Sequence, residues 1–259
     1  MRLNKNIPLP LYAQLAEQIK EQIKAEALKP GDQLPSERDL GERAAISRMT
    51  VRQAVAYLVK EGILEVKHGV GTFVAEPKLT HDLVHLLSFT EAIIRQGSTT
   101  TSQVLEQQAV TPSLGIAEAL ALDANEMCLK IVRLRKSGQV PLLLETTFIP
   151  SRLCPGLEDE DLATQSLYTL LEAQYGLHLQ RTRQTLEATV STDYESQLFG
   201  IEPGTAMILL EGVTFNNQER PIEYFKAVYR GDRFKFALES QRDASEEIAG
   251  TPRISILFQ

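Results

Sequence analysis

Leu11, Leu15, Ile19 and Ile23 recur every fourth residue and draw one apolar stripe. That spacing predicts a helix over 9–24, with Pro10 in its first turn, where a missing N–H is tolerated. The pattern breaks at Pro30-Gly31-Asp32, a turn signal. Ser36 then stands as an N-cap, with Glu37 and Asp39 favouring the positive end of a short helix over 37–44. Ser47 caps a third helix whose buried face is Val51, Ala54, Val55, Leu58 and Val59, and Gly62 ends it. Two short strands follow, 64–67 and 72–74, joined through Gly69-Val70-Gly71. Three helices and a β-hairpin predict a winged helix-turn-helix domain over 1–75.

A linker is expected over 76–86, where Pro77 discourages a continuous helix. From 87 to 259 the pattern alternates. A short helical stretch near 88–96 precedes strands at 127–136 and 142–149, which bracket a hairpin turn at 137–141. A helix over 166–175, a strand over 178–191 and a short helix over 193–199 come next. Strands at 207–215 and 222–229 then bracket Asn216-Asn217-Gln218. The fold class is α+β, with an antiparallel sheet dominating the second domain. The segment 253–258 is strand-like and is expected to pair with a sheet or a neighbouring subunit.

The chain has 259 residues and a net charge of -7, with 43% hydrophobic and 24% charged residues. This balance excludes a disordered or collagen-like chain. No apolar run reaches the length of a membrane span, and the opening residues lead into Pro8 and Pro10 rather than a secretory apolar core. Cys128 and Cys154 have no zinc-motif spacing and cannot build a disulfide framework, so reduced thiols and a cytoplasmic location are expected. His81 and His85 can share a helix face, but Asp82 is the one further ligand nearby. Neither a metal nor a cofactor is expected. His178 lies in a strand pattern without a nucleophile elbow, which argues against hydrolytic catalysis.

The charge is unevenly distributed. Residues 1–78 carry 12 Lys/Arg and 10 Asp/Glu, whereas 79–259 carry 15 and 24. An acidic whole does not coat nucleic acid through bulk charge, yet a near-neutral front with clustered arginines suits a small DNA-binding module. Arg48, Thr50 and Arg52 sit at the start of the third helix, away from its apolar face. In a recognition helix these are the positions that meet base edges, and arginine bonds guanine O6 and N7 with two parallel bonds. Arg38 on the second helix would lie at the groove edge. Lys67 and His68 precede a glycine-rich tip at Gly69 that lets backbone approach a duplex closely.

Several segments in order carry a resemblance. Pro10-Leu11-Tyr12, Pro30 through Leu40, Ser47 through Arg52 and Gly69 through Val74 resemble the GntR family of bacterial transcription regulators. The resemblance implies that Arg38 and Arg48 reach bases, that Thr50 and Arg52 help hold phosphates, and that Gly69 approaches the minor groove. The capping Ser36 and Ser47 belong to the same motifs. Two positions depart from the pattern. Val70 stands where the wing tip often has a basic residue, and Ala45 stands where the turn before the third helix often has glycine.

The second domain resembles the UTRA effector-binding domain of the HutC subfamily, which has a chorismate-lyase-like fold. Ser88-Phe89-Thr90-Glu91 with Gln96-Gly97 is similar to its opening motif. Arg133-Leu134-Arg135 with Gly138, Pro141, Glu145 and Pro150 resembles its central hairpin. Ser166-Leu167-Tyr168, Arg220 through Glu223 and Tyr229 through Phe234 complete the set.

Arg133 and Arg135 are two apart, so on a strand they share a face. They either converge on a bound carboxylate or phosphate or make surface ion pairs with nearby glutamates. Ser166 either caps a helix or helps its amino end hold an anion. Thr90 and Tyr168 can add hydroxyl donors beside Phe89. Glu145 and Glu223 are either acceptors for sugar hydroxyls or exposed strand carboxylates, and Tyr229 is core or pocket wall. The expected partners are a pseudo-palindromic DNA operator, a second copy of the chain, and an anionic effector such as a sugar phosphate, including an amino-sugar phosphate. The expected function is a dimeric repressor released by that effector. The alternatives are an enzyme built on the chorismate-lyase-like fold and a regulator sensing a different organic anion.

Overall fold

A computed structural model of the chain describes residues 3, 4, 7–67 and 69–239. It divides into two compact units, 1–78 and 79–259. In the first unit α1 (Leu11–Lys24), α2 (Glu37–Ala44) and α3 (Arg48–Lys60) precede a hairpin of β1 (Leu64–Lys67) and β2 (Gly71–Val74). The helix starts follow local chemistry. The Ser36 hydroxyl accepts from the Asp39 amide, and the Ser47 hydroxyl from the Thr50 amide, each at 3.2 Å. Leu15, Ile19, Leu40, Val51, Ala54 and Leu58 interlock with Leu64 and Val74 of the hairpin in one apolar core. Residues 31–34 brace the hairpin: the Leu34 amide donates to the Thr72 carbonyl at 2.8 Å and the Gly31 amide to the Val74 carbonyl at 2.9 Å.

Ala45, which ends α2, has φ 51° and ψ 48°. A left-handed conformation costs a residue with a Cβ about 1–2 kcal/mol. Ala45→Gly is therefore expected to stabilise the first unit by roughly 0.5–1 kcal/mol, after glycine's larger entropy loss is set against the relief. Urea unfolding of the two proteins checks this, and an unchanged or lower midpoint for the glycine variant refutes it.

The second unit is built on an antiparallel six-stranded sheet. Its strands are β4 (Thr101–Val110), β5 (Cys128–Ser137), β6 (Val140–Pro150), β7 (Leu179–Val190), β8 (Ala206–Asn216) and β9 (Pro221–Arg230), in the order β4-β5-β6-β9-β8-β7. Helices α4 (Phe89–Ile94), α5 (Leu114–Ala119), α6 (Leu167–Tyr175) and α7 (Asp193–Phe199) accompany it. Capping boxes open α4, through Ser88 and Glu91, and α7, through Thr192 and Glu195. Alternation along the strands separates two apolar layers. Leu143, Leu210, Phe225 and Tyr229 pack with Phe89 and Ile93 of α4, while Val132, Leu134, Leu144 and Val228 pack with Phe199 of α7.

Three features depart from the sequence pattern. The expected linker 76–86 contains a strand, β3 (Leu79–Asp82), which pairs in parallel with β10 (Phe234–Ala237). This strand removes the helix face that His81 and His85 were expected to share. His81 instead packs on Tyr229 and Phe236, whereas His85 Nδ1 lies 2.7 Å from Asp82. Strand β4 was not anticipated, because as an edge strand its side chains are only half-buried and its apolar residues do not alternate cleanly. Among the described residues no group of three or more metal-ligating side chains converges, and no helix is long and apolar enough to cross a membrane. His68 and the strand-like segment 253–258 lie outside the described residues.

Candidate DNA interface and effector site

In the first unit Arg38, Ser47, Arg48 and Thr50 line one open cleft of about 550 Å³. Arg48 is the first residue of α3, exposed, and makes no ion pair among the described residues. Arg38 is also exposed, with Asp39 and Glu42 each 3.7 Å from its Nε. Arg48 is thus open to an incoming polyanion, whereas at Arg38 one would compete with Asp39 and Glu42. Arg52 differs, because its Nε and Nη2 grip the Glu37 carboxylate at 3.1 and 2.8 Å. That pair holds the Glu37 carboxyl below the usual range. A phosphate would have to compete with Glu37 for Arg52.

The Ser36 and Ser47 hydroxyls are engaged in capping, and Ser47 Oγ also lies 2.9 Å from Thr50 Oγ1. On the wing, Lys67 Nζ lies 4.5 Å from the Phe73 ring centroid and 3.1 Å from Glu65, so it folds back along the hairpin. Gly69 has φ 73°, and Val70 is exposed beside it. Met49, 68% exposed between Arg48 and Thr50, escaped the sequence reasoning. Its signal was an apolar residue off the buried stripe at the start of the recognition helix.

In the second unit one sheet face carries Arg133, Arg135, Glu145, Glu223 and Tyr229, met by Phe89 and Thr90 from α4 and by Tyr168 from α6. Arg133 and Arg135 do pair with a nearby glutamate, Glu145, but at 2% and 3% exposure these are buried ion pairs and not surface ones. Antiparallel register sets Glu145 directly opposite Arg133. Glu145 Oε2 accepts from Arg133 Nη2 at 2.6 Å and from Arg135 Nη1 at 3.3 Å. Arg135 Nη2 donates to Thr90 Oγ1 at 2.7 Å, and its guanidinium lies 4.8 Å from the Phe89 ring centroid. Burial acts to raise the Glu145 carboxyl, but the two guanidiniums hold it below the usual range. Burial pulls Arg135 down to about 10, which leaves it charged at neutral pH. Two buried cations therefore share one anion. Arg133 Nε, Arg133 Nη1 and Arg135 Nε are buried without a hydrogen-bond partner. An unmet buried donor costs about 1–3 kcal/mol, and more when charged.

A second polar knot lies across the same face. Glu223 Oε2 accepts from Tyr168 at 2.9 Å and from Thr214 at 2.8 Å. Burial pushes the Glu223 carboxyl up to about 7, against these hydrogen bonds and with help from the Glu145 charge. Burial also raises the Tyr168 phenol well above its usual value. Ser166 caps α6, its hydroxyl accepting from the Thr169 amide at 3.4 Å, so its plain capping role is realised. Tyr229 is buried with its ring edge-on to Phe234 at 4.9 Å, and its phenol is raised by burial. Thr214 and His81 join these clusters without having been singled out for them. Thr214 faces Glu223 across the β8–β9 ladder, and nothing local marks that pairing.

The raised Glu223 carboxyl has a consequence for stability. The folded unit binds this proton more tightly than the unfolded chain. The resulting stabilisation is fully present below about pH 4 and is lost as pH rises through 7, on the order of 3 kcal/mol. Glu223→Gln keeps an acceptor for Tyr168 and Thr214 but cannot titrate. Wild-type Tm is expected to fall several degrees more than that of Glu223→Gln between pH 5 and pH 8. Parallel declines would refute the assignment.

Known proteins place the chain in a family. The profile for bacterial regulatory proteins of the gntR family matches residues 11–74, and that for the UTRA domain matches 95–235. The HTH-type transcriptional repressor NagR of Bacillus subtilis (strain 168) is 37% identical over 236 residues, covering 91% of this chain and 97% of NagR. The mannosyl-D-glycerate transport/metabolism system repressor MngR of Escherichia coli (strain K12) is 32% identical over 236 residues, covering 91% and 98%. Among solved structures, PhnF from Mycobacterium smegmatis superposes with a TM-score of 0.63 at 29% identity, covering 88% of this chain and 100% of that one. The chain belongs to the gntR family of bacterial regulatory proteins: it is a transcription regulator, not an enzyme, and it carries a UTRA domain.

Proposed function

We propose that this chain is a cytoplasmic, dimeric repressor whose operator binding is weakened by a phosphorylated sugar held on the β5–β6 face. The observation that carries this reading is the pair of buried guanidiniums sharing one carboxylate, with three of their nitrogens unpartnered. Arginine forks suit a phosphate or carboxylate, and burial strengthens the attraction. Glu145 and Glu223 supply acceptors for sugar hydroxyls or an amide N–H, and the Tyr168 hydroxyl, which donates to Glu223 in this structure, would have to turn from it to donate to a ligand. Acceptors and donors together favour a phosphorylated sugar, such as an amino-sugar phosphate, over a simple anion. The similarity to repressors named for mannosyl-D-glycerate and fructoselysine systems supports a sugar-derived ligand.

At the other end, Arg48 and Arg38 would read base edges from the cleft they line, and Gly69 would bring the wing backbone to the minor groove. Thr50 and Arg52 would bond phosphates. Two copies would read a pseudo-palindrome whose half-sites lie one helical turn apart, about 34–36 Å. Effector and operator must oppose each other reciprocally, typically by ~1–3 kcal/mol.

A thermal-shift panel of sugar phosphates, the same sugars without phosphate, inorganic phosphate and dicarboxylates tests the effector. A ligand at 100 times its Kd should add about 2.7 kcal/mol of stability. Stabilisation by sugar phosphates but not by their dephosphorylated forms is expected. Stabilisation by dicarboxylates alone would replace the sugar phosphate with another organic anion.

A further inference from the structure

Strand β3 is the first element after residue 78, so it is continuous in chain with the DNA-binding unit. One edge of it pairs with β10, with the Leu79 amide donating to the Arg233 carbonyl at 2.8 Å and the Leu83 amide to the Ala237 carbonyl at 3.1 Å. In a strand, successive peptides point to opposite edges, so Thr80 offers its N–H and C=O away from β10. A side chain meets both. Gln96 Oε1 accepts from the Thr80 amide at 2.8 Å, and Gln96 Nε2 donates to the Thr80 carbonyl at 2.9 Å. A primary amide carries the same donor and acceptor pair as a peptide, so Gln96 acts as a one-residue strand neighbour.

The same Nε2 donates to the Ala92 carbonyl at 2.8 Å, which fastens the amide to α4. Gln96 follows the C-terminal end of that helix. The opposite end of α4 carries Phe89 and Thr90, the residues that touch Arg135. A helix of six residues is about 9 Å long and has little room to bend. Both of its ends are tied, one to the arginine pair and one to β3. An anion that drew Arg135 Nη2 away from Thr90 Oγ1 would release the first tie, and a resulting shift of α4 would reach the second.

We propose that Gln96 is the positioning residue that couples the arginine pair to operator binding, by holding the Thr80 peptide of β3 to α4. This rests on the effector reading given above. Gln96 touches neither the arginines nor Glu145 in the described contacts, so its removal should separate coupling from binding.

The test uses the full-length protein, N-acetylglucosamine 6-phosphate and glucose 6-phosphate as probes, and a duplex selected from a random-sequence library with the wild-type protein. Probe affinity is measured by calorimetry with and without the duplex. In the wild type the duplex should weaken probe binding by a factor of 5 to 150, the usual range for coupled sites. In Gln96→Leu that factor should fall to within about twofold of unity, while affinity for the probe alone and for the duplex alone stays within about threefold of wild type. Should Gln96→Leu fail to fold, Gln96→Glu takes its place, since it keeps an acceptor for the Thr80 amide but sets an oxygen against the Thr80 carbonyl. Its coupling should fall part of the way. Hydrogen exchange at the Thr80 amide gives a second reading: probe binding should change its protection in wild type and leave it unchanged in the variants. If the probes bind and both variants retain wild-type coupling, the role of Gln96 is overturned and the effector site stands. If neither probe binds the wild type, the phosphorylated-sugar reading and this inference fall together.

Discussion

Arg133→Ala is expected to weaken effector binding by about 2–5 kcal/mol, roughly 30-fold or more, while leaving operator affinity in the absence of effector unchanged. The substitution removes the Nη2 bond to Glu145 and two of the three unpartnered buried nitrogens. Glu145 keeps Arg135 as a partner, so no buried carboxylate is stranded and the unit should still fold. Removing both arginines would leave Glu145 buried and alone, at about 3–5 kcal/mol of stability. The double variant is therefore best paired with Glu145→Gln. Calorimetry with the anion that most stabilises the wild type, followed by operator titration, separates binding from release. Wild-type affinity in Arg133→Ala would remove this residue from the site.

The second large effect is expected at the other end of the chain. Arg48→Ala should cost about 1–3 kcal/mol of operator affinity and relax discrimination at one base pair. Arg48 is exposed at the first turn of α3 and spends no charge on an ion pair among the described residues. Arg52→Ala should behave differently, because Glu37 already holds that guanidinium. Its loss should lower affinity evenly across sequences and reduce the salt slope by about one unit if it meets a phosphate. Gel-shift titrations over single-base operator variants and several salt concentrations distinguish the two. Unchanged discrimination in Arg48→Ala would refute base reading, and effector affinity should be unaffected in both variants.

The contrast between these two arginine groups shows where sequence reasoning works. In the first unit the chemistry is local. Ser47, Arg48 and Thr50 lie within four positions, helix periodicity decides which of them face outward, and an outward residue is a candidate by that fact alone. The fold of this unit follows from similar short-range signals, except at Ala45, where the chain takes a left-handed conformation that an alanine does not announce. The Glu37–Arg52 pair was not foreseen, because it spans two helices whose packing no single stripe reveals.

In the second unit, strand alternation establishes that Arg133 and Arg135 share a face, that 127–136 and 142–149 form a hairpin, and that the domain is α+β. It does not say whether the shared face looks inward. That depends on α4 covering it, and Thr90 reaches Arg135 across 45 positions of chain. Likewise Tyr168 and Glu223 meet across 55 positions, brought together because the sheet order sets β9 beside β6 rather than at an edge. By itself the sequence determined the elements, their faces and the outward residues of the recognition helix, because these obey periods of two and 3.6 residues. Only the tertiary structure decided that two arginines of one strand are buried cations sharing a single carboxylate, because burial and charge balance are set by neighbours that no local period can bring together.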